Sequence, residues 1–439
     1  MRPIDSSRTS RRARLGTLGA ALLACAPLAL SAPAAADPSP ASSSARTAPL
    51  TVEEQRLTGA VPREILRRSG FDDMAPGFAR ALSRTRSVGQ AQLLATAEGR
   101  RLWRRAVDRV QGRGPDGGDL SRDDDRPLYW ARLGMTRALR EWQPAFALDE
   151  RRRADLVAVV ERGSRGQDSV VLPPGSQVKR VVITGFDPFQ LDSDIRRSNP
   201  SGAAALALDG TTVETSAGPA RIEAALFPVR WADFADGTVE RTLLPHFRSG
   251  ARRADLFTTI SQGRPGRFDL ERTNGAWRGG YPDNANESRT ETVPVPPGVP
   301  TVTPQPQWTT TTLPYAAITA AGTGPFPVQD NTAVTEIPAG GTEEADRADG
   351  PTPGSTARAG GGGDYLSNEI AYRATLLRDA VRPGIPGGHL HTPVLRFGEG
   401  NTDPATGQVT DPAFVRDRLA ITAQIRSVIA VAVGSAGRA

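Results

Sequence analysis

The chain has 439 residues, a formal charge of +6, 45 glycines, 37 prolines and one cysteine. Its length allows two or three domains and a substantial core, while an aromatic content of only 5% predicts one well-packed domain with long loops. One cysteine excludes a disulfide framework and a thiolate metal cluster.

Residues 1–36 have the three-part layout of a secretory signal peptide. Five arginines precede an apolar run from Leu15 to Leu30, and small residues follow up to Ala36. Removal of this segment, with its five arginines and one aspartate, lowers the formal charge to about +2, which gives no argument for nucleic acid binding. The mature chain would also lose Cys25, which excludes a cysteine nucleophile.

Two other interpretations of the N-terminus stay open as minor alternatives. "SRRARL" (10–15) resembles a twin-arginine export signal, and "LLAC" (22–25) resembles a lipoprotein cleavage box that would anchor the chain at Cys25. No later run of 18 or more apolar residues follows, so we expect a secreted chain without a membrane span.

The elements after the signal peptide fall into two kinds. Residues 37–50 are rich in Pro, Ser and Ala and predict a flexible leader. Residues 51–165 show apolar side chains at three- and four-residue steps, for example Leu102, Ala106 and Val110, which predicts an all-α extension. The acidic run at 123–125 is interpreted as a loop that opens the next helix rather than a metal site.

Residues 175–435 predict an α/β domain. "VKRVVITGF" (178–186), "RIEAALFPV" (221–229) and "ADLFTTIS" (254–261) are β-branched or apolar runs separated by helical stretches. This alternation predicts a central mixed sheet flanked by helices. A low-complexity insertion at about 322–363 favours a disordered loop, with a lid over a pocket as the alternative.

Three stretches of this domain contain residues suited to nucleophilic catalysis. Ser367 follows a glycine run and opens a predicted helix, where backbone N–H groups favour an oxyanion. His389 and His391 in "GGHLHTP" are two residues apart on a predicted strand, so spacing alone does not choose the base. Glu271 in "SQGRPGRFDLER" could orient an imidazole, although a surface ion pair with Arg272 is the ordinary interpretation.

These stretches resemble the pyroglutamyl peptidase I (pyrrolidone carboxyl peptidase) family. "VVITGFDPFQLDSDIRRSNPS" (181–201) is similar to the family's N-terminal signature, "GDYLSNEIAY" (363–372) to its nucleophile motif, "GGHLHTP" (387–393) to its histidine motif and "SQGRPGRFDLER" (261–272) to its glutamate motif. The shorter matches "FPV" (227–229), "PDN" (282–284) and "TTLP" (311–314) occur in family order.

The resemblance implies an α/β peptidase, often a homo-oligomer, that removes N-terminal pyroglutamyl residues from peptides without a metal or organic cofactor. It implies Ser367 as the nucleophile in place of the family's cysteine, His391 as the base and Glu271 as the acid. After Glu271 the sequence departs from the family pattern. The residues that it implies for the pyroglutamyl pocket are Phe186, Phe189, Asn199, Gln262, Tyr365 and Leu366.

Replacement of the thiol by a hydroxyl leaves two further functions open. One is a catalytically inactive homologue that binds pyroglutamyl or other blocked peptide termini, and the other is an esterase or amidase for a different small acyl group. For the helical region three roles stay open: docking onto the sheet domain, assisting its folding, or covering a surface used for assembly.

Overall fold

The computed structural model describes residues 48–114, 117–381 and 384–436. The predicted signal peptide (1–36) and all but the last three residues of the predicted leader (37–50) lie outside these ranges, so both stay predictions.

The predicted N-terminal all-α extension is confirmed. Its helices are α1 (Val52–Gln55), α2 (Ala60–Ser69), α3 (Met74–Leu82), α4 (Val88–Val110), α5 (Arg126–Glu141) and α6 (Glu150–Ser164), with a 3-10 turn at Arg56–Thr58. Thr51 and Glu54 form a capping box that begins α1: the Glu54 N–H donates to the Thr51 hydroxyl, and the Thr51 N–H donates to the Glu54 carboxylate.

The second part of the described chain contains the strands. They are β1 (Lys179–Phe186), β2 (Thr211–Thr215), β3 (Gly218–Phe227), β4 (Leu256–Gln262), β5 (Phe268–Glu271), β6 (Thr273–Gly275), β7 (Trp277–Gly279), β8 (Thr290–Thr292), β9 (Trp308–Thr310), β10 (Val328–Asn331), β11 (Val334–Ile337), β12 (Ala345–Arg347), β13 (Thr356–Ala359) and β14 (Gly387–Thr392). The three strands expected from sequence correspond to β1, β3 and β4.

Seven of these strands form the central sheet, in the order β10-β5-β14-β4-β1-β3-β2. Four neighbouring pairs are parallel, while β2 runs antiparallel to β3 and β5 antiparallel to β14. The predicted mixed α/β sheet is therefore confirmed. Smaller sheets pair β12-β11-β13, β6-β9 and β7-β8.

Helices cover the sheet. They are α7 (Pro200–Leu208), α8 (Trp231–Ala235), α9 (Thr238–Phe247), α10 (Tyr315–Ala320), α11 (Leu366–Val381) and α12 (Pro412–Ser435), with a second 3-10 turn at Glu399–Asn401.

By length and composition α12 could cross a membrane, but half of its apolar window is buried in the protein. Ile421, Ile425 and Ile429 of α12 belong to the largest core cluster, which is the pattern of a core helix.

The expectation of a disordered loop at 322–363 was wrong. The segment supplies β10 to the edge of the central sheet and forms the β12-β11-β13 sheet. Its polar composition is compatible with order because several of its charges are paired, within the segment for Glu336 and with Arg272 for Asp330. Glu336 is buried and accepts hydrogen bonds from Arg347 and from the backbone and side chain of Thr352, at 2.6–2.8 Å.

Asp209, which follows α7, makes the free energy of unfolding depend on pH. Its carboxylate accepts hydrogen bonds from the Trp103 indole and the Ala224 N–H, and burial raises its pKa to about 6. The folded state therefore holds this proton more tightly than the unfolded state does. As the pH falls from 8 to 4, we expect the stability of the wild type to rise relative to Asp209→Asn by about 2 kcal/mol. Urea unfolding of both proteins across this range measures the difference, and a pH-independent difference would contradict the prediction.

Candidate active site

The two histidines of β14 have different partners. In the sheet register His389 lies beside Thr259 of β4 and opposite Glu271 of β5. The Nδ1 atom of His389 is 2.7 Å from Thr259 Oγ1. Burial, followed by the proximity of His391, lowers the pKa of His389 well below its ordinary value. His389 is therefore a neutral core side chain at physiological pH.

His391 is paired with Glu271. Its Nδ1 is 2.7 Å from Glu271 Oε1, a diagonal contact between the antiparallel strands β14 and β5. Because an ionised carboxylate only accepts hydrogen bonds, Nδ1 bears the proton and Nε2 is left as the acceptor. Glu271 is 1% exposed, so this pair is shielded from water. The register thus distinguishes the two histidines, which their spacing did not.

Asn331 holds the other oxygen of the same carboxylate. Its Nδ2 atom donates to Glu271 Oε2 at 2.6 Å and to the Gly361 carbonyl at 3.1 Å. The two residues face each other because β10 and β5 pair with Asn331 opposite Glu271. The sequence interpretation missed Asn331 because it lies in the segment expected to be disordered. The available signal was the short pattern "VQDNTAVTEI", in which two valine-led runs flank a turn.

The glycine run Gly360–Gly363 passes directly over the acid and the base. A Cβ atom on Gly361 would collide with Glu271 Oε2, and one on Gly362 would lie 3.1 Å from His391 Cε1. Gly363 has a φ of +85°, which side chains with a Cβ rarely adopt. The run is glycine because the backbone must approach Glu271 and His391 this closely.

Ser367 lies in the first turn of α11, four positions after the last glycine of the run, Gly363. The first-turn N–H groups of a helix have no intrahelical acceptor, so they can stabilise a negative oxygen. The position that a Cβ of Gly362 would take lies 3.1 Å from His391 Cε1 and 3.4 Å from the Asn368 backbone nitrogen, so the imidazole and the start of α11 meet here. The Ser367 hydroxyl itself donates to the Gly362 carbonyl, at 3.0 Å.

Asn368 ties the start of α11 to β6. Its side-chain N–H donates to the Gly275 carbonyl at 2.8 Å, and its oxygen accepts from the Gly275 N–H at 2.9 Å. This two-point contact fixes the helix end that carries Ser367.

A small cavity opens beside Ser367. It measures about 30 Å³ and is lined by Phe186, Phe189, Asn199, Val229, Ser261, Gln262, Tyr365, Leu366 and Ser367. All six residues expected in a pyroglutamyl pocket are among them, together with Val229 and Ser261, which the sequence interpretation missed. Phe189 and Tyr365 are half-buried, with ring centroids 6.2 Å apart.

The polar groups of the cavity differ in how far they are already engaged. The Asn199 amide is committed to the scaffold, since it donates to the Asp187 carbonyl and accepts from Ser201. The Tyr365 hydroxyl donates to the Pro282 carbonyl, and burial raises its pKa. Within the described ranges the Ser261 hydroxyl is buried without a hydrogen-bond partner. The structure thus brings together the residues named from sequence, but Asn199 supports the wall more than it offers a free group.

Among the described residues no group of three or more His, Cys, Asp or Glu side chains is arranged to hold a metal ion. The acidic run at 123–125 has structural partners: Asp124 pairs with Arg126, and Asp125 accepts from the Asn199 N–H.

These features define an α/β protein with an N-terminal helical region, a cavity lined by Ser367, and a buried His391–Glu271 pair near the start of α11. Two family models match the chain: the PA0049 N-terminal domain at residues 34–161 and the PA0049 C-terminal domain at residues 180–305 and 325–396. The uncharacterized protein PA0049 of Pseudomonas aeruginosa is 36% identical, with 91% of this chain and 92% of that protein covered. The chain therefore belongs to the PA0049 family.

Solved structures with some likeness are mutant pyrrolidone carboxyl peptidases of the hyperthermophile Pyrococcus furiosus. Two of them are 22% and 20% identical, with TM-scores of 0.38 and 0.37, and each match covers 58% of this chain and 97% of the other.

Proposed function

We propose that the protein is a hydrolase that removes N-terminal pyroglutamyl residues from peptides, with Ser367, His391 and Glu271 as its catalytic residues. The observation that supports this most directly is the buried contact of 2.7 Å between His391 and Glu271 at the point where the imidazole meets the start of α11. The motif resemblance in the sequence supplies the substrate class.

In the proposed mechanism His391 Nε2 takes the proton of Ser367 as its oxygen attacks the pyroglutamyl carbonyl. Before this transfer the Ser367 hydroxyl rotates away from the Gly362 carbonyl, its acceptor in the resting structure, and donates to His391 Nε2. Glu271 holds the imidazole and stabilises its charged form, while N–H groups at the start of α11 receive the oxyanion. His391 next returns the proton to the leaving amine, and water hydrolyses the acyl-enzyme.

The cavity suits a flat, uncharged lactam. Phe186, Phe189 and Leu366 give apolar walls, and the ring amide needs one donor and one acceptor, which Gln262 can provide. A volume of about 30 Å³ holds one or two water molecules, so the half-buried rings of Phe189 and Tyr365 would move outward when the lactam enters.

Export would give a reason for a hydroxyl nucleophile. We propose that the chain is secreted after removal of residues 1–36, which leaves no cysteine in the mature protein. A thiolate outside the cell is readily oxidised, whereas a serine is not. A serine must lose its proton during attack, because its hydroxyl is a far weaker acid than a thiol.

The direct test is release of a fluorophore from a pyroglutamyl-coumarin amide by the purified protein. We expect turnover that requires Ser367 and that proline- and glutamyl-coumarin amides do not show, because the first lacks the ring carbonyl and the second brings charges into an apolar cavity. Turnover that persists in Ser367→Ala, or equal rates with all three amides, would refute the proposal.

A second candidate is a binding protein for pyroglutamyl termini without turnover. The hydrogen bond from Ser367 to the Gly362 carbonyl favours it, since the hydroxyl proton is donated there and not to His391. Saturable binding of free pyroglutamate without any fluorophore release would support this candidate over the hydrolase.

Gly361→Ala is expected to lower kcat/KM on the pyroglutamyl-coumarin amide by about 100-fold, because displacement of a catalytic group by about 1 Å has that cost. The added methyl group would push Glu271 away from His391. Gly400→Ala is the matched control, since a Cβ there meets no atom within 4 Å, and it should keep wild-type activity. Equal activities of the two variants would contradict the close contact described here.

A further inference from the structure

The N-terminal helices and the sheet share one hydrophobic core. Leu102 of α4 and Met135 of α5 belong to the same buried cluster as Val181 of β1 and Ile222 of β3. The helical region is thus packed against the domain that contains the cavity, and the first of its three open roles, docking, describes the structure.

The loop at 187–199 connects β1 to α7 and borders the cavity. It supplies Phe189 and Asn199 to the lining, and Phe186 directly precedes it. A loop of this length without regular structure is ordinarily mobile unless other parts of the protein fix it.

Two buried arginines fix the beginning of this loop. Asp187 is 1% exposed, and its Oδ1 accepts from Arg132 of α5 at 2.5 Å. Its Oδ2 accepts from Arg165, which follows α6, at 2.8 and 2.9 Å. The forked contact from Arg165 sets the orientation of the carboxylate as well as its position.

Residues at the start of α5 fix the end of the loop. The Asp125 carboxylate accepts from the Asn199 N–H at 3.0 Å and from the Ser198 hydroxyl. Arg126 donates to the Arg196 carbonyl at 2.5 Å. Asn199 therefore faces the cavity while its backbone is held by the helical region.

A third contact reaches the loop through α1. The buried carboxylate of Glu53 accepts from the Tyr129 hydroxyl at 2.8 Å and from the Asn284 amide at 3.3 Å. The same Asn284 amide donates to the Pro188 carbonyl at 2.8 Å. Residues of three helical elements thus converge on one loop.

We propose that the N-terminal helical region is the scaffold of the substrate cavity: Asp125, Arg132 and Arg165 are positioning residues that hold the 187–199 loop in its binding conformation. This inference rests on the proposed function for the identity of the substrate. Holding the loop before the substrate arrives removes an ordering cost from binding, so its loss should raise KM and leave kcat nearly unchanged.

The test uses the full-length protein with Asp125→Ala and Arg132→Met. For each variant we expect amide hydrogen exchange in 187–199 to become at least about tenfold faster, KM for the pyroglutamyl-coumarin amide to rise about tenfold and kcat to stay within about threefold of wild type. Gln111→Ala is the control. It removes contacts of 3.0 and 2.8 Å from the residue that follows α4 to the carbonyls of Leu206 and Asp209, across the same junction but away from the cavity lining.

The proposal that the helical region holds this loop would be overturned if amide hydrogen exchange in 187–199 were unchanged in Asp125→Ala and Arg132→Met. It would also be overturned if Gln111→Ala raised KM as much as these two variants do. The exchange measurement needs no turnover, so it decides the inference even if the wild type hydrolyses nothing. If Arg132→Met does not fold, the result for Asp125→Ala decides whether the proposal holds. Asp125→Ala is the milder change, because it removes an acidic group next to Asp124 and leaves Arg126 paired with Asp124 and Arg132 paired with Asp187.

Discussion

Ser367→Ala is expected to lower kcat/KM for the pyroglutamyl-coumarin amide by about 10⁴-fold or more, because loss of the nucleophile disables the whole triad. Among the described residues the Ser367 hydroxyl donates to the Gly362 carbonyl and makes no other hydrogen bond, so its removal should leave the cavity shape and the binding of free pyroglutamate unchanged. Initial rates and isothermal titration with pyroglutamate measure the two effects separately.

Two further variants support this measurement. Ser427→Ala also removes a hydroxyl that donates to a backbone carbonyl, at 3.2 Å on α12, and should leave the rate unchanged. Ser367→Cys should turn over the substrate and become sensitive to iodoacetamide, because a thiol beside His391 and a helix start ionises readily. A Ser367→Ala protein with more than a tenth of wild-type activity would exclude Ser367 as the nucleophile.

Glu369→Gln is expected to destabilise the protein by about 3 kcal/mol, since it removes the buried carboxylate that two buried arginines share. Arg373 keeps its contact with Glu240 and Arg278 keeps its contact with Glu291, so the loss lies at the lower end for a broken buried ion pair. Glu369 lies in the first turn of α11 and is fully buried. It accepts from Arg278 at 2.6 and 2.7 Å and from Arg373 at 2.7 Å. Urea unfolding measures the loss of free energy, and the same variant should lower activity because the helix that carries Ser367 is loosened.

Glu287→Gln is the matched control, since it replaces the same residue type in an exposed ion pair with Arg289, where the side chains are 43% and 47% exposed. Such a pair contributes about 0–1 kcal/mol. If both variants lose the same small free energy, the buried network does not stabilise α11.

The sequence was sufficient where the signal is local. β1 and β4 are recognisable because β-branched residues cluster between turn signals, and Ser367 is recognisable because glycines precede it and a helical pattern follows. It was insufficient where the partners are distant in the chain. His391 and Glu271 are 120 residues apart, and only the β14–β5 register brings them within 2.7 Å. The β14–β4 register places Thr259 beside His389.

The segment 322–363 shows why its composition led to a wrong prediction of disorder. A polar segment predicts disorder when its charges are assumed to be solvated, but Glu336 is buried among donors from its own segment, and β10 places Asn331 against Glu271. These pairings depend on strand register, which composition does not contain.

By itself the sequence determined the α/β class, the helical extension and the residue types available for catalysis, because these follow from periodicity and short-range turn chemistry. The family resemblance implied the pair of His391 and Glu271, but only the tertiary structure showed their contact. It alone showed that Asn331 and the glycine run enclose that pair, and that the N-terminal helices hold the 187–199 loop. The physical reason is that hydrogen bonds and buried ion pairs are set by distances of a few ångströms between residues far apart in the chain, and the packing of the elements fixes those distances.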